Sequence, residues 1–107
     1  MHKYHNPKSI MANASYTHGV EAVGPLRWLA IAGQVGRDTD SSIPDGIEAQ
    51  AEIAWRNLAD VLKGAGMDMT DLFDVTVYLV NRDDNVGFDK ARMKWLGPVA
   101  RPACTKI

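Results

Sequence analysis

Residues 45–66, with the sequence DGIEAQAEIAWRNLADVLKGAG, decide the fold because they predict one long amphipathic helix. The apolar side chains recur at the three-and-four spacing that stacks them along one face: Ile47, Ala51, Ala54, Leu58, Val61 and Leu62. A helix with one apolar face must cover another apolar surface. The strand-like segments on either side of it are the candidates, so the sequence predicts a sheet with a helix packed on it.

The polar face and both ends of this segment fit the same helix. Glu52, Arg56 and Asp60 follow one another at four-residue spacing, which predicts a solvated ladder of charges. At the start, Asp45 and Glu48 have the spacing of a capping box, in which side chains satisfy the free N–H groups of the first turn. The segment ends in residues of the type that stops a helix, Gly64 and Gly66.

Strand patterns flank the helix on both sides. Residues 26–35 are apolar on both faces, which a strand needs only if both faces are covered. Residues 15–23 precede them, and the Gly24-Pro25 turn predicts a hairpin between the two. Residues 71–80 alternate apolar and polar side chains. The strand at 26–35, the long helix and the strand at 71–80 predict a right-handed crossover with parallel strands.

The remaining segments complete the predicted architecture. Residues 1–14 form a weakly patterned lead-in, residues 86–96 predict a second helix that stops at Gly97, and residues 100–107 begin another strand. The second helix is expected to bury Phe88, Ala91, Trp95 and Leu96. Two helices cannot cover both faces of a four- or five-stranded sheet. We therefore expect another copy of the protein to cover the second face.

Length and composition limit the possible classes. A chain of 107 residues that is 46% hydrophobic predicts a single domain over residues 1–107. The net charge of −1, with scattered basic residues, gives no footprint for nucleic acid or an anionic membrane. One cysteine excludes an intrachain disulfide. The start of the chain lacks the apolar segment of a signal peptide, which predicts a cytoplasmic protein. His2 and His5 lack a nearby carboxylate or thiol, so neither a metal nor a cofactor is expected.

Five runs in order along the chain resemble the Rid/YjgF family, the reactive intermediate deaminases, which are also labelled L-PSP endoribonucleases or translation inhibitors. The runs are YTHGV at 16–20, AGQVG at 32–36, the long helix, DVTVYLV at 74–80 and RPACT at 101–105. The resemblance spans roughly residues 15–107. It implies a chorismate-mutase-like α+β fold, with a mixed sheet that carries two helices on one face. It also implies a homotrimer with ligand clefts between subunits.

Active members of that family hydrolyse enamine and imine intermediates, such as 2-aminoacrylate, to 2-keto acids and ammonia. The resemblance therefore implies a small carboxylate or imine metabolite as ligand. Such chemistry needs a positioned water and an anchor for the carboxylate. An arginine suits the anchor because its planar guanidinium bonds both carboxylate oxygens at once.

The anchor position is where this sequence departs from the family. The family's arginine follows a Pro-Ala pair and precedes Ser or Thr, and here Pro102-Ala103 is followed by Cys104 and Thr105. A thiol carries no fixed charge, so deaminase activity is expected to be altered or absent. Alternatively Arg101 serves as the anchor, although a three-residue slip along a strand reverses the face. The catalytic candidates therefore remain Arg101 and Cys104.

Other positions are also carried over from the resemblance. Tyr16 is retained where the family lines its pocket, Ala32 stands where many members have a serine, and Asp89 stands near a usual asparagine. The expected ligand-binding set is Tyr16, Ala32, Gly33, Asp89, Arg101, Cys104 and Thr105. The family's last strand, which often carries a water-positioning glutamate, has no counterpart after Ile107. We expect either a shortened chain or a tail beyond this sequence.

Structural interpretations stand beside these functional ones. Cys104 also suits a small apolar filler on an internal strand, and His18 suits a strand residue that bonds a backbone carbonyl. Three functional hypotheses result: a metabolite-binding Rid protein, a working deaminase anchored by Arg101, and an endoribonuclease or translation inhibitor. The third is disfavoured because the sequence shows no basic groove or stacking aromatic motif for RNA.

Overall fold

The computed structural model describes residues 2–12, 16–98 and 100–107, and within them it has four strands and two α-helices. They are β1 (His2–His5), β2 (Gly19–Ala22), α1 (Ile47–Gly64), β3 (Asp74–Val77), α2 (Asn85–Leu96) and β4 (Ala103–Lys106). Short 3-10 turns precede β3 and α2, at Met69–Asp71 and Arg82–Asp84. The predicted α+β class is confirmed. Within the described residues, no helix has the length and apolar character needed to cross a membrane.

The strand pairing differs from the prediction. β2 pairs antiparallel with β1, which lies in the segment predicted to be a lead-in. Residues 26–35, all of them within the described part of the chain, form no strand, so the predicted hairpin is wrong. β3 pairs in parallel with β4, and the helix that connects them is α2 rather than α1. Apolar side chains on both faces of residues 26–35 indicate that both faces need to be buried. They do not indicate which segment would form backbone hydrogen bonds with these residues.

The ends of α1 are set by backbone geometry. Gly46 precedes the helix with φ 88°, and its N-terminus has no side-chain cap, so the capping box predicted from Asp45 and Glu48 is wrong. A capping box forms instead at the next turn, between Asp68 and Asp71. At the other end Gly66 adopts φ 73°, which a residue without a Cβ accepts at no steric cost. The predicted glycine stop is confirmed.

One core joins both helices to β3. Its buried members include Ala51, Trp55 and Leu62 from α1 and Phe88, Ala91 and Leu96 from α2. Val75, Val77 and Leu79 pack against it, while Thr76, Tyr78 and Val80 face away and are exposed. The alternation predicted for residues 71–80 is therefore confirmed, and both helices cover the same face of β3.

Two details of the helical surfaces were mispredicted. Val61, predicted on the apolar face of α1, is exposed, whereas Trp55, which was not among the residues predicted for that face, is buried. The charges of α1 bond to other elements rather than along the helix: Arg56 donates to Asp38 at 3.1 Å, and Glu52 accepts from Lys94 at 2.8 Å. These hydrogen bonds tie α1 to the preceding loop and to α2.

The described strands form two separate two-stranded sheets rather than one larger sheet, and apolar side chains outside them lie exposed in the single chain. Trp28 and Tyr78 are 70% and 74% exposed, and Val35 and Val80 are exposed as well. Trp28 keeps one aromatic contact, an edge-to-face arrangement with Phe73 at 5.6 Å between ring centroids. Exposed apolar side chains of this kind, from residues 26–35 and from the residues after β3, are typical of a protein-protein contact.

Candidate functional site

Cys104 lies on β4 with its side chain turned toward the helices. In the parallel register it stands opposite Val75, whose side chain packs on the core. The thiol is half-buried in a small recess lined by Trp55, Val75, Arg92, Leu96 and Pro102. Alternate residues of a strand share a face, so Lys106 points the same way as Cys104 while Thr105 points to the other side. β4 thus presents a thiol and an ammonium group to α2.

Arg92 is the charged group closest to this thiol. It lies on the buried face of α2 with a side chain only 4% exposed, and its Nη1 lies 3.6 Å from the Cys104 Sγ. Its Nη2 donates to Asp89 Oδ1 at 2.7 Å, one helical turn earlier. Its guanidinium carbon stands 5.9 Å from the centre of the Phe88 ring. The buried Nε has no hydrogen-bond partner, so the guanidinium keeps unused donor capacity.

Asp89 connects Arg92 to Lys106. Lys106 Nζ lies 2.6 Å from the same Oδ1 and 2.5 Å from Asn85 Oδ1. The Phe88 ring underlies this ammonium at 5.6 Å as well. We call Asn85, Asp89, Arg92 and Lys106 the α2–β4 charge cluster. It contains two cations and one carboxylate, so it carries a net positive charge.

The charge cluster and the recess act on the thiol in opposite directions. Burial is the largest influence, and it raises the pKa of Cys104 because it disfavours the charged thiolate. The Arg92 and Lys106 cations act to lower that pKa, but burial prevails. Cys104 is therefore a neutral thiol near neutral pH and a poor nucleophile.

A second group of candidates meets at the start of β4. Arg101 is half-buried, and its Nη2 donates to the backbone carbonyl of Tyr16 at 3.2 Å. The neighbouring Thr17 N–H donates to the Pro102 carbonyl at 3.4 Å, so the two segments run side by side. The Tyr16 ring meets the His18 ring edge to face at 5.4 Å. His18 Nε2 lies 2.9 Å from the Met11 carbonyl oxygen, which confirms its interpretation as a residue that bonds a backbone carbonyl.

The expected ligand-binding set therefore divides into parts. Asp89 and Cys104 meet through Arg92, and Tyr16 meets Arg101. Ala32 and Gly33 lie exposed in the loop that replaces the predicted strand. Three residues that sequence reasoning missed complete the charge cluster: Asn85, Arg92 and Lys106. The spacing of three between Asp89 and Arg92, and of two between Cys104 and Lys106, could have indicated the two cations.

Metal ligation receives no support from the described residues, in which no three His, Cys, Asp or Glu side chains form a cluster able to hold a metal ion. His5 Nε2 lies 2.9 Å from Glu21 Oε1, in a pair that joins β1 to β2. His2 stacks edge to face on Phe73 at 5.7 Å. His5 and His2 therefore each have a structural contact, with Glu21 and Phe73 respectively.

Comparison with known proteins gives consistent matches. The sequence matches the family described as Endoribonuclease L-PSP over residues 6–107. It is 35% identical over 79 residues to the 2-iminobutanoate/2-iminopropanoate deaminase of Mus musculus, covering 65% of this chain and 58% of that protein. The protein of the same name from Homo sapiens is 33% identical over 72 residues, covering 59% and 53%. The chain thus spans little more than half the length of these relatives.

Solved structures share the fold. A protein of unknown function of the conserved Rid family from Yersinia pestis superposes with a TM-score of 0.82 at 23% identity, covering 98% of this chain and 84% of that one. The E. coli protein TdcF with bound serine superposes with a TM-score of 0.68 at 18% identity, covering 92% and 82%. At these identities the likeness concerns the fold alone.

Proposed function

The chain belongs to the Rid/YjgF family, described as Endoribonuclease L-PSP, and we propose on that premise that it binds a small carboxylate metabolite with altered or absent imine deaminase activity. The ligand class is that of 2-imino acids and 2-keto acids, and the proposed seat is a cleft between subunits. Relatives named 2-iminobutanoate/2-iminopropanoate deaminase support this ligand class. A cytoplasmic location remains a prediction.

The observation that carries the proposal is the environment of Cys104. A raised pKa leaves the thiol uncharged, so this position offers a carboxylate neither a cation nor a pair of fixed donors. A positive charge is nevertheless present beside it, in Arg92 and Lys106. Cations beside position 104, without a guanidinium at that position, favour binding over efficient hydrolysis.

A working deaminase anchored by Arg101 is the second candidate. It is favoured by the hydrogen bond from Arg101 Nη2 to the Tyr16 carbonyl, because this contact joins two of the expected site residues. The bond uses one end of the guanidinium and holds its plane in place.

Assembly as a homotrimer is part of the proposal. The exposed apolar face that includes Trp28, Val35 and Tyr78 supports it, because water-exposed aromatic surface of this extent favours self-association. Light scattering at micromolar concentration is expected to give three times the protomer mass. Trp28→Ser is expected to shift the mass toward the monomer, and a monomeric wild type would contradict the proposal.

The test of function measures ammonia release from freshly generated 2-iminopropionate. Wild-type turnover is expected to be weak, and Cys104→Arg is expected to raise it about tenfold or more, because a hydrogen bond to a charged group contributes roughly 1.5–3 kcal/mol. Arg101→Ala is the discriminating variant. Brisk wild-type turnover that disappears in Arg101→Ala would establish the second candidate instead.

A further inference from the structure

We infer that Lys106 is the group that binds the ligand's carboxylate, and that Asp89 is a built-in competitor which the ligand displaces. This inference rests on the proposed function and names the cation of the same site. Neither the family resemblance nor the candidates drawn from the sequence include Lys106. The structure brings it to the site through its contacts with Asp89 and Asn85.

Accessibility distinguishes Lys106 from the other cation of the cluster. The Lys106 side chain is 27% exposed, whereas that of Arg92 is 4% exposed and lies beneath α2. A ligand arriving from solvent can therefore reach the ammonium group but not the guanidinium. Cys104 is small and carries no charge, so it does not compete with the Lys106 ammonium group for a ligand carboxylate on this face of β4.

The exchange of partners on Lys106 leaves no buried charge alone. Asp89 Oδ1 accepts from both Lys106 and Arg92, at 2.6 Å and 2.7 Å. When a ligand carboxylate takes the ammonium, Asp89 keeps its bond to Arg92, which prevents the large penalty of an unpaired buried ion. Arg92 is thus a positioning residue that holds the competitor. Lys106 is the group that contacts the ligand.

The surroundings of the ammonium favour a small monocarboxylate. Asn85 offers an amide that can bond a second polar group of the ligand, and the Phe88 ring lies 5.6 Å from Lys106 Nζ as an apolar wall. The cluster's net charge equals that of one cation, so one carboxylate neutralises it. A second carboxylate on the ligand would stand close to Asp89 without a partner.

Calorimetric titration with pyruvate, with neutral pyruvamide as the comparison compound, tests the inference on the full chain. Lys106→Met is expected to weaken pyruvate binding about tenfold or more, since a charge-assisted bond is lost. Asp89→Asn keeps an oxygen for Arg92 but removes the competing charge, and it is expected to tighten pyruvate binding severalfold. Lys90→Met is the matched control, because Lys90 is an exposed α2 lysine paired with Glu48, and it is expected to leave the affinity unchanged.

The outcomes separate this inference from the proposed function. Loss of affinity in Lys106→Met, with pyruvamide binding unaffected, supports the inference even if Asp89→Asn does not fold. Unchanged affinity in Lys106→Met together with loss in Arg101→Ala overturns the inference and leaves the proposed function in place. Failure of the wild type and of both variants to bind pyruvate overturns both. Equal loss in Lys106→Met and Lys90→Met also overturns it, since general charge would then explain the binding.

Discussion

Replacement of Asp89 by alanine is expected to destabilise the protein more than its partial exposure suggests. The change leaves the Arg92 guanidinium, whose side chain is 4% exposed, without its carboxylate at 2.7 Å. Breaking a buried ion pair by removing one partner costs roughly 3–5 kcal/mol. Asp89 itself is 33% exposed, so water screens part of the interaction. We therefore expect the lower end of the range, about 3 kcal/mol.

The companion changes make this a double-mutant cycle. Arg92→Met removes the cation and fills similar volume, and it leaves Asp89 paired with Lys106, so its cost is expected to be about 1 kcal/mol. In Asp89→Ala/Arg92→Met no buried charge remains alone, and the double variant is expected to be more stable than Asp89→Ala by about 1–2 kcal/mol. The double variant is then expected to cost about 1–2 kcal/mol where the two single costs add to about 4 kcal/mol, and this departure from additivity of about 2–3 kcal/mol is the signature of the buried pair.

Urea unfolding followed by circular dichroism measures each free energy of unfolding, at one fixed protomer concentration because assembly shifts apparent stability. Glu48→Ala is the matched control. Its carboxylate pairs with Lys90 at 3.4 Å with both side chains mostly exposed, and such pairs contribute about 0–1 kcal/mol. The reasoning is refuted if Asp89→Ala costs no more than Glu48→Ala, or if the two single costs simply add.

Two further predictions concern the packing of the helices and the thiol. Gly87→Ala is expected to cost about 1–3 kcal/mol of unfolding free energy in the same urea experiment, because the new Cβ would lie 2.6 Å from Ile47 Cγ2 where the two helices meet. Gly64→Ala is the control, since a Cβ there meets open space, and it should show no such loss. Equal effects of the two substitutions would contradict the helix contact. Cys104 is expected to react slowly with iodoacetamide near neutral pH and faster as the pH rises toward its raised pKa, because the thiolate is the reactive form. Rapid labelling of the folded protein at neutral pH would contradict the placement of Cys104 in the recess.

Side-chain periodicity predicted those parts of the fold in which burial decides the structure. The predicted bounds of α1 lie within two residues of the observed ones at each end, and the predicted alternation holds from Val75 to Val80, through β3 and the three residues after it. Both patterns indicate which side chains are buried away from water, and the same side chains form the core. Trp55 is absent from the predicted α1 face because tryptophan suits a core and an interface equally well in sequence.

Strand partners were not predictable on the same grounds. β1 has the sequence HKYH, without an apolar alternation, and it exists through backbone pairing with β2 and the bond between His5 and Glu21. Residues 26–35 carry the stronger apolar pattern and yet form no strand. Hydrogen-bond partners are a property of two segments at once, so the pattern of one segment cannot identify them.

The site was half predictable for a related reason. Asp89 and Cys104 were chosen separately, and only the packing of α2 on β4 shows that one buried arginine connects them. Thr105 was included and Lys106 was not, although strand alternation places Lys106 on the face of Cys104. From sequence alone, Lys106 is interpreted as a solvated surface charge, because its bonds to Asp89 and Asn85 are visible only in the structure.

If Lys106 is the anchor in place of the guanidinium that the family resemblance implies at position 104, there is a physical reason for separating binding from hydrolysis. Alternate residues on one face of a strand lie roughly 6.6 Å apart. A carboxylate held by Lys106 therefore sits about two residues further along β4 than one held at position 104. Catalysis depends on reacting atoms placed within about 3–3.5 Å of one another, and a displacement of several ångströms removes that alignment while leaving the ion pair intact. If Lys106 is the anchor, affinity for small carboxylates and turnover of imines must respond to different substitutions, the first to Lys106→Met and the second to Cys104→Arg.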